Sequence, residues 1–313
     1  MTTKTRTILD EIGHTPIVPL KRIGKGLPVP VYVKCEHLNP GGSIKDRIAR
    51  AIVEDAEKRG QLRPGATLVE ATAGNTGMGL ALMAALRGYE LVCVMPEKMS
   101  VDKRAALSSL GARLHITPND PPDSPDNFRN VAERLAKTEG WFLTDQFRNP
   151  ANIRAHEETT GPEILVSMGR KIGAFVAGAG TGGTITGVGR YLKRLAPGVR
   201  IVLADPRGSV LAHWVETGEI GPDAPYRIEG IGASRPPELL DRTVIDEAIT
   251  VSDEDAFLMT RRLIREEGLF VGASSGAAVV AALRVAASGD LQGPVVAILA
   301  DSWDRYFTRE WLR

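Results

Sequence analysis

Residues 67–95 read TLVEATAGNTGMGLALMAALRGYELVCVM. Thr67–Glu70 is a short run that predicts a strand. The small and hydroxylated residues from Ala71 to Gly77 predict a turn. Thr76–Arg87 predicts a helix, and Gly88 is placed to end it in a left-handed C-cap. Leu91–Met95 is apolar on all sides, as a strand buried on both faces should be. The stretch is thus strand, helix, strand, and parallel strands need such a covering crossover.

The same alternation continues outward. Ala105–Leu110 predicts a helix and Arg113–Ile116 a strand. Asn119–Asp126 is a turn-rich break, followed by a helix over Asn127–Glu139 and an extended segment over Trp141–Asp145. Ala174–Ala177, Thr184–Leu195 and Arg200–Ala204 give a second strand, helix and strand. Ser252 with Asp255 forms a capping-box start for a helix running to about Glu267. Ser275–Ala286 is helical, and Val295–Leu299 is a last buried strand. The expected class is α/β, with two domains, each a mostly parallel twisted sheet covered by helices. A smaller N-terminal domain is expected over 1–150 and a larger C-terminal one over 151–313. Ligand sites in such sheets lie beyond the carboxyl ends of the strands.

Composition narrows the function classes. The chain has 313 residues, 43% hydrophobic and 25% charged, with a formal net charge of +1. That balance gives no electrostatic support for a nucleic-acid surface. Cys35 and Cys93 form no C-x-x-C pair, and the five histidines have no ligand-like spacing, so neither a disulfide scaffold nor a metal site is expected. Met1–Leu20 lacks a signal-peptide core, and no stretch is apolar enough to span a membrane. A cytoplasmic location is the expectation.

Three loops carry the chemistry. Gly41-Gly42-Ser43-Ile44-Lys45-Asp46-Arg47 contains a capping box, Ser43 with Asp46, that puts Lys45 in the first turn of a helix. Positive partial charge there favours a deprotonated, nucleophilic amine, although a solvated lysine on a capped helix satisfies the same residues. Thr72-Ala73-Gly74-Asn75-Thr76 joins strand to helix and suits a carboxylate, or is simply a well-capped turn. Gly178-Ala179-Gly180-Thr181-Gly182-Gly183-Thr184 offers backbone N–H groups and hydroxyls to a phosphate, and its start also mimics a dinucleotide fingerprint. A softer feature is Gly272-Ala273-Ser274-Ser275-Gly276, where a serine caps a helix or bonds a ligand heteroatom.

In this order the loops resemble those of the cysteine synthase and cystathionine β-synthase family, fold type II pyridoxal phosphate enzymes related to the tryptophan synthase β chain. The resemblance runs from Ile12-Gly13-His14-Thr15-Pro16 to Asp301, and includes Asn39–Arg47, Gly74–Gly77, Asn149–Asn152, Thr159–Glu163, Gly180–Thr184 and Glu229–Gly232. It implies pyridoxal 5′-phosphate in a cleft between the domains, with the segment near 13–36 packing on the other domain. It gives Lys45 the Schiff base to the cofactor and the α-proton of the substrate. It gives Asn75 the cofactor's 3′-oxygen, Gly180, Thr181, Gly182, Gly183 and Thr184 its phosphate, and Ser274 its pyridine nitrogen. Thr72, Gly74, Asn75, Thr76 and Gln146 would receive the substrate carboxylate, and Gly230 would face the cofactor. No metal is implied, and a homodimer is.

The pattern bends in places. Ala73 stands where the family usually has serine, which points to altered substrate choice. His14 and His37 replace a more usual Asn and aromatic residue, and both read as satisfied structural histidines. The region Gly230–Asp246 is closer to cystathionine β-synthases. There is no room for the C-terminal regulatory pair or the N-terminal haem segment of some of them, so a stand-alone catalytic core is expected.

The leading expectation is β-replacement on O-acetyl-L-serine, or a related activated serine, by sulfide to give L-cysteine. The runner-up is a cystathionine β-synthase joining homocysteine to serine or O-acetylserine. A β-eliminating cysteine desulfhydrase, an idle cofactor-binding paralogue and a nicotinamide dehydrogenase built on the third loop are the remaining alternatives. Arg207, Arg227 and Arg235 lie near a plausible entrance, but solvated surface arginines are the expected reading.

Overall fold

The computed structural model describes residues 6–72 and 74–312. In chain order its strands are β1 (Ile17–Pro19), β2 (Val31–Lys34), β3 (Thr67–Ala71), β4 (Glu90–Pro96), β5 (Arg113–Thr117), β6 (Phe142–Leu143), β7 (Ala174–Gly178), β8 (Arg200–Pro206), β9 (Glu247–Val251) and β10 (Val295–Ile298). Its helices are α1 (Lys45–Lys58), α2 (Asn75–Arg87), α3 (Val101–Ser109), α4 (Phe128–Glu139), α5 (Ala151–Ala155), α6 (Gly161–Met168), α7 (Gly183–Leu195), α8 (Leu211–Thr217), α9 (Asp253–Arg262) and α10 (Ala273–Ala287). The chain divides into two units. One takes the residues up to Ile12 together with Asn39–Asn152, and the other takes Gly13–Leu38 together with Ile153–Arg313.

The first unit holds a four-stranded parallel sheet in the order β5-β4-β3-β6. Successive residues of a strand face opposite sides. Leu68, Leu91, Cys93 and Met95 accordingly pack with Ala49 and Val53 of α1 and Leu80 and Met83 of α2. Val69, Ala71, Val92 and Val94 pack with Val131 and Ala132 of α4. Both faces are covered, which is why β4 reads as a continuous apolar run.

The second unit holds a six-stranded sheet in the order β1-β2-β10-β7-β8-β9. All pairs are parallel except β1 with β2. Ala174, Val176, Val202 and Ala204 join a core with α9 and α10. Phe175, Ala177, Ile201 and Leu203 are equally buried, face the other way, and lie on the side where α7 packs against β7 and β8.

Local signals explain most boundaries. Ser100, Asn127 and Ser252 cap α3, α4 and α9 by accepting backbone N–H groups. Gly88 ends α2 at φ +72°. The helix expected to reach Glu267 stops as an α-helix at Arg262 and continues as a π turn over Leu263–Glu267. The extended segment expected over Trp141–Asp145 pairs only at Phe142–Leu143, because Asp145 turns into the left-handed region at φ +49°. The short strands β1 and β9 and the helix α8 carried no readable period. Pro19 fits β1 because that strand is an edge.

Candidate active site

Lys45 is the first residue of α1 and is half-buried. The expected capping box forms differently. Ser43 Oγ accepts the Lys45 N–H at 3.2 Å, two residues on. The buried Asp46 carboxylate reaches back to the Gly41 N–H at 2.5 Å and closes the glycine turn onto the helix start. Helix α2 packs against this turn. A Cβ on Gly79 would sit 3.0 Å from Ala49 Cβ, 3.1 Å from the Lys45 carbonyl oxygen and 3.2 Å from Asp46 Cα.

The second loop lies one turn away along α2. Gly74 is its N-cap and offers no side chain, so the first-turn amides at Asn75 and Thr76 stand at the positive end of the helix. Thr72 is buried, donates its backbone N–H to Val94 and accepts from the Gly74 N–H at 3.4 Å. Ala73 lies outside the described residues. Gln146 approaches from the segment after β6, and its Oε1 accepts from the Thr76 hydroxyl at 2.6 Å. The left-handed turn at Asp145 makes this approach possible, since a short polar residue tolerates that conformation. Thr72, Gly74, Asn75, Thr76 and Gln146 therefore surround one helix start.

Gln146 is held by a group that loop-by-loop reading passed over. Glu70 of β3 is 1% exposed and accepts from the Gln146 N–H at 3.1 Å, from Gln146 Nε2 at 3.3 Å and from the Thr144 hydroxyl. Burial pushes its carboxyl up to about 7 against the pull of these hydrogen bonds. The readable signal was a lone carboxylate inside an apolar strand.

In the second unit, β7 leads through Gly178–Gly182 into α7, with Gly182 as N-cap. A Cβ on Gly180 would lie 2.4 Å from the Gly230 carbonyl oxygen, so only glycine allows the two loops to touch. The Gly232 N–H donates to the Ala179 carbonyl at 2.8 Å and fastens the same contact. Thr181 is buried. Thr184 Oγ1 lies 3.2 Å from Nε2 of the buried His156, whose Nδ1 lies 3.0 Å from Thr160 Oγ1. His156 was not singled out by spacing, because its partners come from a π turn and a distant helix.

Ser274 is buried in the first turn of α10, where Gly272 is the N-cap and gives no side-chain cap. Neither serine caps that helix. Ser275 Oγ instead accepts the Ala300 N–H at 3.0 Å, which ties the start of α10 to the carboxyl end of β10. Strand β10 is the parallel neighbour of β7, so Ser274 and the glycine loop occupy the same end of the sheet.

The remaining candidates have structural accounts. His14 sits at φ +49°, a conformation that Asn and His tolerate better than most residues, and its N–H donates to Glu163 at 3.0 Å. Glu163 also pairs at 2.5 Å with the fully buried Lys34, which donates to the Thr15 carbonyl as well. His37 corrects the expectation of a satisfied histidine, because it is buried but its Nδ1 has no partner among the described residues. Arg207 and Arg235 are exposed, and Arg227 is an exposed arginine near Asp253 and Glu254 that lies over the Phe257 ring. Burial pushes both cysteine thiols up to about 12, which leaves them inert. Among the described residues no cluster could hold a metal ion, and no helix is long and apolar enough to cross a membrane.

The start of α1 presents an amine, the start of α2 in the same unit presents backbone amides and a threonine hydroxyl, and the start of α7 in the other unit follows a glycine-rich loop. Comparison with protein families matches residues 8–301 to "Pyridoxal-phosphate dependent enzyme". The chain belongs to that family. It has the fold type II architecture, pyridoxal 5′-phosphate is its cofactor, and the dinucleotide reading of Gly178–Gly183 falls away.

Among curated relatives, cystathionine beta-synthase of Apis mellifera is 46% identical over 96% of the chain, and that of Oryctolagus cuniculus is also 46% identical over 96%. The chain spans 60% and 55% of those two proteins. Among solved structures, O-ureido-L-serine synthase superposes with a TM-score of 0.91 at 41% identity, covering 99% of this chain and 95% of that one. An O-acetylserine dependent cystathionine beta-synthase from Helicobacter pylori superposes with a TM-score of 0.90 at 37% identity, covering 100% of both chains.

Proposed function

We propose that the protein catalyses β-replacement on an activated L-serine, with homocysteine as the nucleophile and cystathionine as the product. The observation that carries this reading is the likeness, over 100% of both chains, to an O-acetylserine dependent cystathionine beta-synthase, alongside the curated relatives named cystathionine beta-synthase. It reverses the order expected from sequence, where sulfide led and homocysteine followed. Sulfide remains the second reading, and the O-ureido-L-serine synthase neighbour, by its name, is a relative of the same fold with a different product.

When bound, the cofactor supplies the electron sink that stabilises negative charge at the substrate's α-carbon. Lys45, at the head of α1, would hold the cofactor and would take up and return the substrate's α-proton at its amine. Asn75 meets the cofactor's 3′-oxygen. The amides and hydroxyls of Gly180, Thr181, Gly182, Gly183 and Thr184 hold the phosphate at the N-terminus of α7. Ser274 would be a neutral partner for the pyridine nitrogen, without the charge by which an aspartate would keep that nitrogen protonated. Thr72, Gly74, Asn75, Thr76 and Gln146 bind the substrate carboxylate, and Gly230 lines the cofactor's surroundings. The proposed assembly is a homodimer, which light scattering on the purified protein measures.

The test is a product assay with O-acetylserine and serine as donors, each offered homocysteine, sulfide or water. Cystathionine formed faster than cysteine supports the reading. Cysteine as the dominant product moves sulfide to first place, pyruvate without a thiol adduct indicates net elimination, and no product from any pair sinks both replacement readings.

A further inference from the structure

Glu70 is the only charged residue of β3, and the proposed chemistry leaves it without a task. Its neighbours form a chain. The Thr144 hydroxyl and both nitrogens of Gln146 donate to it, Gln146 Nε2 also donates to the Ala71 carbonyl at 3.4 Å, and Gln146 Oε1 accepts from Thr76. An ionised carboxylate can only accept. While Glu70 is charged, the nitrogen end of the Gln146 carboxamide must face it and the oxygen end must face Thr76. The Thr76 hydroxyl proton then points at Gln146 and away from any bound carboxylate. A neutral group at position 70 supplies a donor of its own. The carboxamide can then reverse, giving up its long 3.4 Å bond to the Ala71 carbonyl, so that Nε2 faces Thr76 and the hydroxyl proton turns to the ligand.

We propose that Glu70 is a positioning residue for the substrate carboxylate, acting through the Gln146 carboxamide to set the direction of the Thr76 hydroxyl. The inference rests on the reading of the Thr72–Thr76 loop as the carboxylate site. The charged and titratable groups around Glu70 are Asp145 on the segment after β6, Cys93 beside it on β4 and Arg129 on α4. Cys93 stays neutral, because burial holds its thiol near 12. Glu70 itself is pushed up to about 7, so its charge changes across neutral pH.

The experiment uses the holoenzyme and the isosteric variant Glu70→Gln. At pH 8 the variant should lower KM for the amino-acid substrate by about tenfold, the worth of one hydrogen bond to a charged group. Its kcat should stay within about twofold of the parent, as for an interaction made equally in ground and transition states. The difference in KM should shrink by pH 6 and vanish in a Thr76→Val background. Independently of turnover, the side-chain amide signal of ¹⁵N-labelled Gln146, assigned with Gln146→Asn, should move with pH through about 7 in the parent and stay fixed in Glu70→Gln. A Gln146 signal that does not titrate in the parent, or parallel KM profiles for parent and variant, would overturn the proposal. Absence of turnover with every amino acid would sink the proposed function alone, and the nuclear magnetic resonance arm would still decide the role of Glu70.

Discussion

Gly79 of α2 lies against the backbone carbonyl of Lys45, close enough that a Cβ at position 79 would stand 3.1 Å from that oxygen. The turn that presents the lysine is thereby packed one helical turn from the loop proposed to bind the substrate carboxylate. Gly79→Ala sets two effects against each other. Alanine gains about 1 kcal/mol of helix propensity. Overpacking a filled site costs about 1–3 kcal/mol. Two of the three obstructing atoms belong to the backbone of α1, so the cost should win. Thermal unfolding should show a net loss and the cofactor absorption spectrum should change, while Gly198→Ala, with no neighbour within 4 Å, should leave both unmoved.

Lys45→Ala should keep the fold, since alanine is the best helix former and the first residue of α1 is only half-buried. Removing the amine takes away both the covalent hold on the cofactor and the proton carrier that are proposed for this residue. Turnover should fall by at least about a thousandfold, within the range of general acid–base catalysis. Circular dichroism and the cofactor spectrum check the two halves of this expectation separately.

Gly180→Ala should act on cofactor affinity rather than on bulk stability. The added methyl would stand 2.4 Å from the Gly230 carbonyl, and neither partner is a flexible side chain. The loop has to open, which displaces the amides proposed to hold the phosphate. Titration of the apoprotein with pyridoxal phosphate should show affinity weakened by about tenfold or more, the worth of one lost phosphate contact.

The contribution of His37 to stability should fall on the acid side. Burial lowers its ring from 6.5 to about 4 in the folded protein. Between those values the unfolded chain binds a proton that the folded chain does not, so stability declines as pH drops through 6.5 and goes on declining to about 4. Glu70 and Asp205 act in the opposite sense. Burial raises them to about 7 and about 6, so the folded state binds the extra proton and gains stability as pH falls through those values. His37→Phe also removes a ring nitrogen that has no partner among the described residues, and its gain in denaturation midpoint should be larger at pH 5 than at pH 8.

The fold was legible because β4 and the Ala-rich α2 and α10 carry their periods in composition, and because Ser252, Asn127 and Gly88 mark ends in ways that need no tertiary partner. The three loops were legible as an ordered set and ambiguous one at a time, as Lys45 and the glycines after β7 demonstrate. What stayed hidden depends on partners far along the chain. Glu70 meets Gln146 across 76 positions, and His156 meets Thr184 across 28. The Ser43–Asp46 pair had capping-box spacing, yet the carboxylate found a nearer donor in Gly41. His14 became intelligible only once its φ was known.

The pairing of β2 with β10 has a consequence for how the molecule is made. Val31–Lys34 is made about 260 residues before its parallel partner Val295–Ile298, so this contact closes a very long loop. Residues 39–152, by contrast, hold every strand of their own sheet and can mature while synthesis continues. Until Val295–Ile298 emerges, β2 waits with one edge unmatched, and a nascent chain stalled before Val295 is exposed to aggregation and to chaperone capture.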